Sequence, residues 1–347
     1  MSRAPVLQVR DLAVHFRIDT GGLFRRDYHL IRAVDNVSFD VHSAETLGVV
    51  GESGCGKSTL ARAILGLVRS QSGSIIWEGE DLVGLSAEAM RLKRREIQLI
   101  FQDPSGSLDP RMTVGEIVAE PLRVFYPSMA RMQVRERVSG MMKMVGLSPE
   151  QVNRYPHEFS GGQCQRIGIA RALVVNPRLV VCDEPVSALD VSIQAQIVNL
   201  LKDLQKKLRL SLIFIAHDLS VVRHVSDRVL VMYLGRIMEV ADRDSIYYQA
   251  RHPYTRALIE SVPIPDPVKE RARVRRSLEG DIPSPLNPPS GCVFRTRCPY
   301  AIAACAEQVP KLETLADGSQ VACIRHRELA EQWGHSNPVA DDQTAQA

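Results

Sequence analysis

The sequence predicts an α/β fold, and three features of the 347-residue chain support that prediction. Short apolar runs that suit buried strands, such as Thr46–Val50 and Ser211–Ala216, alternate with segments of helical periodicity. The first of these runs leads through a glycine-rich loop directly into a helix-forming stretch. Ahead of it, Val6–Ile18 has apolar residues at nearly every second position, as a half-buried strand does. We therefore expect an antiparallel β region followed by an α/β core.

Composition limits the class of protein. Hydrophobic residues make up 45% of the chain, which is ordinary for a globular protein, and the length exceeds what one compact domain needs. The net charge of +3 gives no support for nucleic-acid binding. No stretch approaches the roughly 18–20 apolar residues of a membrane span, and Met1–Arg10 lacks the apolar segment of a secretory signal. We therefore expect a cytosolic chain whose seven cysteines form no disulfides.

The N-terminal region is predicted to contain two strand segments, Val6–Ile18 and Ile31–Val41. Residues 21–29 between them begin with two glycines and are predicted to form a loop insertion. Phe16 lies on the first segment, where its ring could stack on a flat ligand or could fill the core. Tyr28 is an alternative for the stacking role.

The glycine-rich loop, Gly51–Thr59, has the pattern G-x-x-x-x-G-K-S, which is typical of a phosphate-binding loop. Its glycines allow successive backbone N–H groups to turn inward around an anion, and the following helix directs its positive end at the same place. Lys57 can reach the β- and γ-phosphates of a nucleotide, and the Ser58 hydroxyl can ligate Mg²⁺. The predicted nucleotide contacts in this loop are Gly51, Ser53, Gly54, Cys55, Gly56, Lys57, Ser58 and Thr59.

Gln102 follows a predicted buried strand, Ile97–Phe101, and its amide could reach the metal or an attacking water. Further along, Met129–Leu147 has apolar residues at helical spacing. We interpret the methionines of this helix as core residues rather than as a binding surface.

A second anion site is predicted at Ser160–Gln163, where small residues open a helix and leave backbone N–H groups free. One chain does not need two phosphate sites for one nucleotide, so this site is expected to complete the pocket of another subunit. The alternative is a plain helix cap. The four candidate residues are Ser160, Gly161, Gly162 and Gln163.

An apolar run, Leu179–Cys182, is followed by two acids. Because ligands of α/β sheets lie at the carboxyl ends of the strands, Asp183 is predicted to bind Mg²⁺ and Glu184 to polarise the attacking water. A pair of capping residues is the alternative. His217 ends the strand Ser211–Ala216 and could contact the γ-phosphate.

The C-terminal part of the chain contains a basic run, Arg271–Arg276, several prolines and four cysteines. It is predicted to be a linker around a small extra domain. Zinc sites favour C-x-x-C pairs, which are missing here, whereas an iron–sulfur cluster needs four thiolates without that pair. A cluster, zinc and buried free thiols all remain possible for Cys292, Cys298, Cys305 and Cys323. Cys55, Cys164 and Cys182 are expected to be unmodified, and the polar tail to be disordered.

Taken together, these motifs resemble the ATP-binding subunit of an ABC transporter. Gly51–Thr59 resembles its Walker A loop, Leu179–Glu184 its Walker B strand and Ser160–Gln163 its signature. The remaining matches are Gln102 with the Q-loop, Ser187–Asp190 with the D-loop, His217 with the H-loop and Phe16 with the adenine-stacking A-loop. The signature departs at Phe159, where leucine is usual, and at Cys164, where a charged residue is common.

This resemblance implies a RecA-like P-loop ATPase core with an N-terminal antiparallel β subdomain, a helical signature subdomain and a small Cys-containing C-terminal domain. The implied boundaries are residues 1–260 for the ATP-binding domain, with a helical subdomain at about 103–175, then 261–330 for the C-terminal domain and 331–347 for a disordered tail. It also implies that ATP and Mg²⁺ bind at a dimer interface, with Asp190 near the nucleotide.

A narrower resemblance lies in His252–Leu258 and Gly291–Pro299, which are similar to the oligopeptide/dipeptide importer subfamily. That resemblance implies an ATP-hydrolysing translocase subunit at the cytoplasmic face of the inner membrane, with a [4Fe–4S] cluster at the four cysteines. The implied partners are a second ATPase subunit that is a paralogue, two transmembrane permease subunits and, indirectly, a substrate-binding protein. The alternatives are an importer of another cargo such as nickel, and an ABC ATPase without a transport role.

Overall fold

A computed structural model describes residues 4–19, 28–104, 106–262 and 280–333 of the chain. The strands are β1 (Pro5–Asp19), β2 (Tyr28–His42), β3 (Thr46–Val50), β4 (Ser72–Trp77), β5 (Glu80–Asp81), β6 (Ile97–Ile100), β7 (Leu179–Asp183), β8 (Ser211–Ile215), β9 (Arg228–Tyr233), β10 (Arg236–Asp242), β11 (Glu313–Thr314) and β12 (Gln320–Val321). The helices are α1 (Lys57–Ile64), α2 (Ala87–Lys93), α3 (Val114–Phe125), α4 (Arg131–Met144), α5 (Gly161–Leu173), α6 (Val191–Leu208), α7 (Leu219–Val225), α8 (Arg243–Gln249), α9 (Pro253–Ser261), α10 (Ala304–Glu307) and α11 (His326–Trp333).

The core is an eight-stranded sheet with the order β11-β12-β10-β9-β3-β8-β7-β6. Five neighbouring strands, β9, β3, β8, β7 and β6, run parallel to one another. Their carboxyl ends therefore lie along one edge, where the loops after β3, β6, β7 and β8 meet. This confirms the α/β fold and places the four predicted strand-end motifs on the same side of the sheet.

Apolar side chains pack on both faces of the core sheet. Successive residues of a strand point to opposite faces, so Val49 belongs to one cluster of buried residues and Val50 to the other. The same alternation separates Ile213 from Phe214 on β8. Because both faces are covered, the central strands β3, β7 and β8 are buried along their whole length and mostly apolar, as expected for buried parallel strands.

The N-terminal strands form a second, four-stranded sheet with the order β2-β1-β4-β5. All of its pairings are antiparallel, as the sequence predicts. Phe16 pairs with Ile31 and Asp19 with Tyr28, so the strands continue up to the predicted insertion. The insertion was predicted for residues 21–29; its first seven residues lie outside the described part of the chain, whereas Tyr28 and His29 belong to β2.

A helical subdomain of α3, α4 and α5 lies between β6 and β7 in the chain. The predicted helix Met129–Leu147 is α4, and Met141 and Met142 are buried, so their interpretation as core residues is confirmed. Helix α3 was not predicted from the sequence, and it carries Pro121 in its interior. A proline there normally argues against a helix, but a capping box between Thr113 and Glu116 begins this one.

The described C-terminal segment, residues 280–333, is joined to the core sheet. Strand β12 pairs with β10 through Glu239 and Val321, and β11 pairs with β12, so the segment extends the sheet at its edge. Helix α11 reaches Trp333, which corrects the predicted start of the disordered tail at residue 331. The basic run Arg271–Arg276 and residues 334–347 lie outside the described residues. Within the described ranges, no helix has the length and apolar character needed to cross a bilayer.

Candidate active site

The loop between β3 and α1 has the geometry of a phosphate-binding loop. Gly56 begins α1 with φ of 106°, a left-handed backbone that favours glycine. A Cβ atom at this position would lie 2.0 Å from the carbonyl oxygen of Ala33, so the close approach of β2 also requires glycine. Cys55 O accepts a hydrogen bond of 2.9 Å from the N–H of Gly235, which ties the loop to the turn between β9 and β10.

Lys57 is buried beneath this loop. Its Nζ donates hydrogen bonds to the carbonyl oxygens of Gly51 at 2.8 Å and Glu52 at 3.1 Å. The ammonium group is therefore held inside the curve of the loop, where a bound anion would meet it. Burial raises the pKa of the neighbouring Cys55 thiol, which favours its neutral form.

Ser58 and Asp183 form the second part of the site. The Ser58 hydroxyl donates a hydrogen bond of 2.8 Å to Oδ1 of Asp183 at the end of β7. Burial raises the pKa of Asp183, while the hydrogen bond from Ser58 opposes that shift. Oxygen donors of this type are those that Mg²⁺ prefers, and their proximity fits a shared magnesium ion.

Glu184, Gln102 and His217 form the third part. Gln102 Nε2 donates to Glu184 Oε2 at 3.0 Å, and His217 Nδ1 lies 3.7 Å from the same oxygen. Glu184 has φ of 47°, an uncommon backbone conformation for a non-glycine residue, and its N–H bonds to the carbonyl of Ile215. The turn at the end of β7 therefore directs the carboxylate toward side chains from the ends of β6 and β8.

The Ser160–Gln163 motif caps α5. Ser160 and Gln163 form a reciprocal capping box whose hydrogen bonds stay within the motif. Ser160 and Gly161 are exposed, and a Cβ atom on Gly162 would lie 2.5 Å from Cγ2 of Ile193. In the described part of the chain, no hydrogen bond connects this motif with the phosphate loop. The helix cap that was the alternative is present, and the role of this motif in the pocket of another subunit stays a prediction.

Asp190 begins α6 but makes no side-chain capping hydrogen bond. Phe16 is 40% exposed and Tyr28 56% exposed, so neither ring fills the core. The Tyr28 ring is covered by the guanidinium of Arg17, 3.9 Å from the ring centre. Phe16 therefore remains the better candidate of the two for stacking on a ligand.

Glu52 lies in the phosphate loop, and no role was predicted for it from the sequence. Its N–H donates to the hydroxyl of Tyr254 at 3.0 Å, and its carboxylate receives two hydrogen bonds from Arg297. Arg297 comes from the C-terminal segment, between two of the four cysteines. Its place in the Gly291–Pro299 motif was the only sequence signal for this contact.

The four C-terminal cysteines line one small cavity of about 20 Å³, room for little more than one water molecule. Burial raises the pKa of Cys298 to about 11 and that of Cys323 to about 12, and the nearby thiols add to both shifts. Across residues 4–19, 28–104, 106–262 and 280–333, however, no group of three or more His, Cys, Asp or Glu side chains is arranged to hold a metal ion. The four thiols share a cavity but are not arranged around a metal ion in this structure, so the [4Fe–4S] cluster stays a prediction.

Two family models match the chain. One described as "ABC transporter" matches residues 34–187, and one described as "Oligopeptide/dipeptide transporter, C-terminal region" matches residues 238–305. The first covers the phosphate loop and Asp183, and the second includes three of the four cysteines.

Curated relatives match nearly the whole chain. This chain is 60% identical to the oligopeptide transport ATP-binding protein OppF of Escherichia coli (strain K12), and the match covers 93% of this chain and 97% of that protein. It is 58% identical to OppF of Haemophilus influenzae, over 92% of this chain and 97% of that protein. A putative peptide import ATP-binding protein of Brucella ovis is 52% identical, over 94% and 99%.

Solved structures match the ATP-binding part of the fold. A dimeric ATP-binding cassette in a post-hydrolysis state with ADP and Pi has a TM-score of 0.61 and 28% identity, covering 68% of this chain and 98% of that chain. The cbiO1 protein of Clostridium perfringens, described as part of an ABC transporter complex, has a TM-score of 0.60 and 25% identity, covering 71% and 91%.

Proposed function

Because the chain belongs to the ABC transporter family of ATP-binding proteins, we propose that it hydrolyses ATP to power the import of oligopeptides. ATP hydrolysis is the activity of the ATP-binding proteins of peptide importers. The oligopeptide cargo is supported by the names of the curated relatives and by the match of residues 238–305. Nickel or another small cargo is the alternative within the same family.

The observation that carries this proposal is the cluster of side chains at the carboxyl ends of four parallel strands. Lys57 and the loop amides would bind the phosphates, and Ser58 with Asp183 would hold Mg²⁺. When bound, Mg²⁺ supplies positive charge that neutralises the phosphate oxygens.

Glu184 acts as the base in this proposal. Its carboxylate accepts the proton of the attacking water, Gln102 holds that carboxylate with a hydrogen bond, and His217 lies 3.7 Å from the same oxygen. In the same proposal, His217 would contact the γ-phosphate and Gln102 the metal. The backbone at Glu184 fixes this orientation, since its N–H is bonded across to β8.

We also propose that the site is completed by a second ATPase subunit. Ser160, Gly161, Gly162 and Gln163 would donate to the γ-phosphate of the partner's nucleotide, and Asp190 would lie at the same interface. This is supported by the exposure of Ser160 and Gly161, and by the Asp190 side chain, which makes no capping hydrogen bond to α6. Val191, next to Asp190, is an 82% exposed apolar residue, as expected of a face that a partner covers.

The remaining partners follow from the family. Two transmembrane permease subunits would carry the cargo path, a substrate-binding protein would deliver the peptide, and the second ATPase would be a paralogue in a heterodimer. The chain would then sit peripherally at the cytoplasmic face of the inner membrane. A family ATPase without a transport role is the competing proposal, and it predicts no permease contact.

Co-purification tests these proposals. The chain is tagged, membranes are extracted with detergent, and the bound proteins are identified and assayed for ATP hydrolysis with and without oligopeptides. Recovery of two permeases and a paralogous ATPase, with peptide-stimulated hydrolysis, is the expected result. An active ATPase that recovers no membrane protein would favour the role without transport.

We further propose that Cys292, Cys298, Cys305 and Cys323 hold a [4Fe–4S] cluster. Four thiols around one cavity provide the right donors, although the cavity would have to widen to accept it. A bound cluster would cross-link separate turns of the C-terminal segment. An anaerobic absorption spectrum with iron and sulfide analysis is the test: zinc in their place, or no metal, would contradict the cluster.

A further inference from the structure

The C-terminal segment reaches the phosphate loop through one arginine. Arg297 Nη1 lies 2.7 Å from Glu52 Oε2, and Nη2 lies 3.1 Å from Oε1, so the guanidinium binds the carboxylate with both arms. The Arg297 side chain is 6% exposed and the Glu52 side chain 21% exposed. A bidentate and largely buried pair of this kind is stronger and more directional than a surface ion pair.

The surroundings of Arg297 make Glu52 its main partner. The hydroxyl of Tyr233 is the other acceptor, at a longer distance of 3.4 Å from Nη1. Nε of Arg297 is buried without a hydrogen-bond partner. Glu52 thus compensates a guanidinium that the surrounding protein otherwise solvates poorly, and Arg297 compensates the carboxylate in return.

Glu52 is held at all three of its polar groups. Its N–H bonds to the Tyr254 hydroxyl, its carbonyl accepts from Lys57, and its carboxylate is bound by Arg297. Tyr254 itself packs against Tyr233 and Phe294, with ring centres 4.7 and 5.2 Å away. The C-terminal segment, through Phe294 and Arg297, therefore contributes to the wall that supports the phosphate loop.

The charge of Glu52 gives this contact a function. A carboxylate in a phosphate-binding loop repels the triphosphate that the loop must accept, whereas a paired carboxylate contributes little net field. We propose that Arg297 is a positioning residue for ATP binding, which holds Glu52 and neutralises its charge from the C-terminal segment. The proposal rests on the proposed ATPase function, and it makes the C-terminal segment part of the nucleotide site.

Equilibrium binding of Mg-ATP to the full chain tests this proposal, with three variants and a control. Arg297→Gln is expected to raise the Kd for ATP about tenfold, the order of effect of one uncompensated negative charge beside the phosphates in a partly solvated site. Glu52→Gln is expected not to weaken binding, because the unpaired guanidinium that remains attracts the phosphates. The double variant Glu52→Gln/Arg297→Gln is expected to bind within about threefold of the unsubstituted chain, because it leaves neither charge unpaired. The matched control is Arg295→Gln, whose side chain bonds to Ser290 within the C-terminal segment.

Rescue by the double variant separates charge compensation from a merely structural contact. If all three variants weaken binding alike, or if Arg297→Gln binds ATP normally, the proposal is overturned. Should Arg297→Gln not fold, the double variant is expected to fold and bind ATP, and failure of both to fold also overturns it. An unsubstituted chain that binds no Mg-ATP would instead contradict the proposed function itself.

Discussion

Replacing Glu184 with glutamine tests the assignment of the base. Glutamine has the same shape, and its amide oxygen can still accept the 3.0 Å hydrogen bond from Gln102. What it loses is the ability to take a proton from water and the negative charge that lies 3.7 Å from His217. The substitution leaves Lys57, Ser58 and Asp183 in place, so ATP binding should be unchanged.

The expected loss of turnover follows from the role of one positioned base. General-base catalysis contributes about 10²–10⁴-fold, which corresponds to about 3–5 kcal/mol of transition-state stabilisation. The positive φ of Glu184 is equally unfavourable for glutamine, so little of the effect should come from refolding of the turn. A change in turnover without a change in ATP affinity is therefore the expected signature.

Phosphate release from the purified transporter complex measures turnover, and binding of a fluorescent ATP analogue measures affinity. Glu88→Gln is the control, because Glu88 is an exposed residue in the first turn of α2. Turnover within twofold of the unsubstituted complex would refute the assignment of Glu184. A loss of ATP binding would instead show that the Glu184 side chain contributes to holding ATP before hydrolysis.

Three further outcomes are expected. Phe16→Ala should weaken ATP binding about 5–100-fold, the value of one base–aromatic stack, whereas Tyr28→Ala should not; equal effects in a binding titration would contradict the choice of Phe16. Ser160→Arg should leave ATP binding to the isolated chain intact but abolish hydrolysis in the assembled complex, and normal turnover would contradict a site shared between subunits. Burial raises the pKa of Glu239 from an ordinary 4.5 to about 7 in the folded state. The folded chain then holds this proton more tightly than the unfolded chain, so the contribution of Glu239 to stability is complete below pH 4.5 and is lost as pH rises through 7, by about 3 kcal/mol. Between pH 5.5 and 8.5 the loss amounts to about 2 kcal/mol, because the decline begins at pH 4.5. Urea unfolding at these two pH values should show it in the free energy of unfolding, and Glu239→Gln should reduce it; the same pH dependence in that variant would contradict the titration.

Much of the site was predictable because its chemistry is carried by local patterns. The spacing of Gly51 to Ser58 specifies a loop whose amides point inward, whatever the rest of the chain does. Acids and a histidine at the ends of apolar runs predict a common edge, since parallel strands end together. The structure places Asp183, Glu184 and His217 at that edge as expected.

Other elements depended on contacts that no local pattern encodes. The helix α3 forms despite Pro121 because its capping box and the burial of its apolar residues within the helical subdomain outweigh the cost of proline. The turn that presents Glu184 requires a strained backbone with positive φ, which the hydrogen bond from its N–H to Ile215 of β8 stabilises. Neither outcome follows from residue preferences alone.

By itself, the sequence determined the class of fold, the phosphate loop and the order of the strand-end motifs, because each depends on the spacing of residues along the chain. Only the tertiary structure decided that the C-terminal segment joins the core sheet and that Arg297 meets Glu52, 245 positions away. A contact at that separation depends on how the sheet is assembled, and its energy comes from burial and charge pairing that exist only in the folded chain.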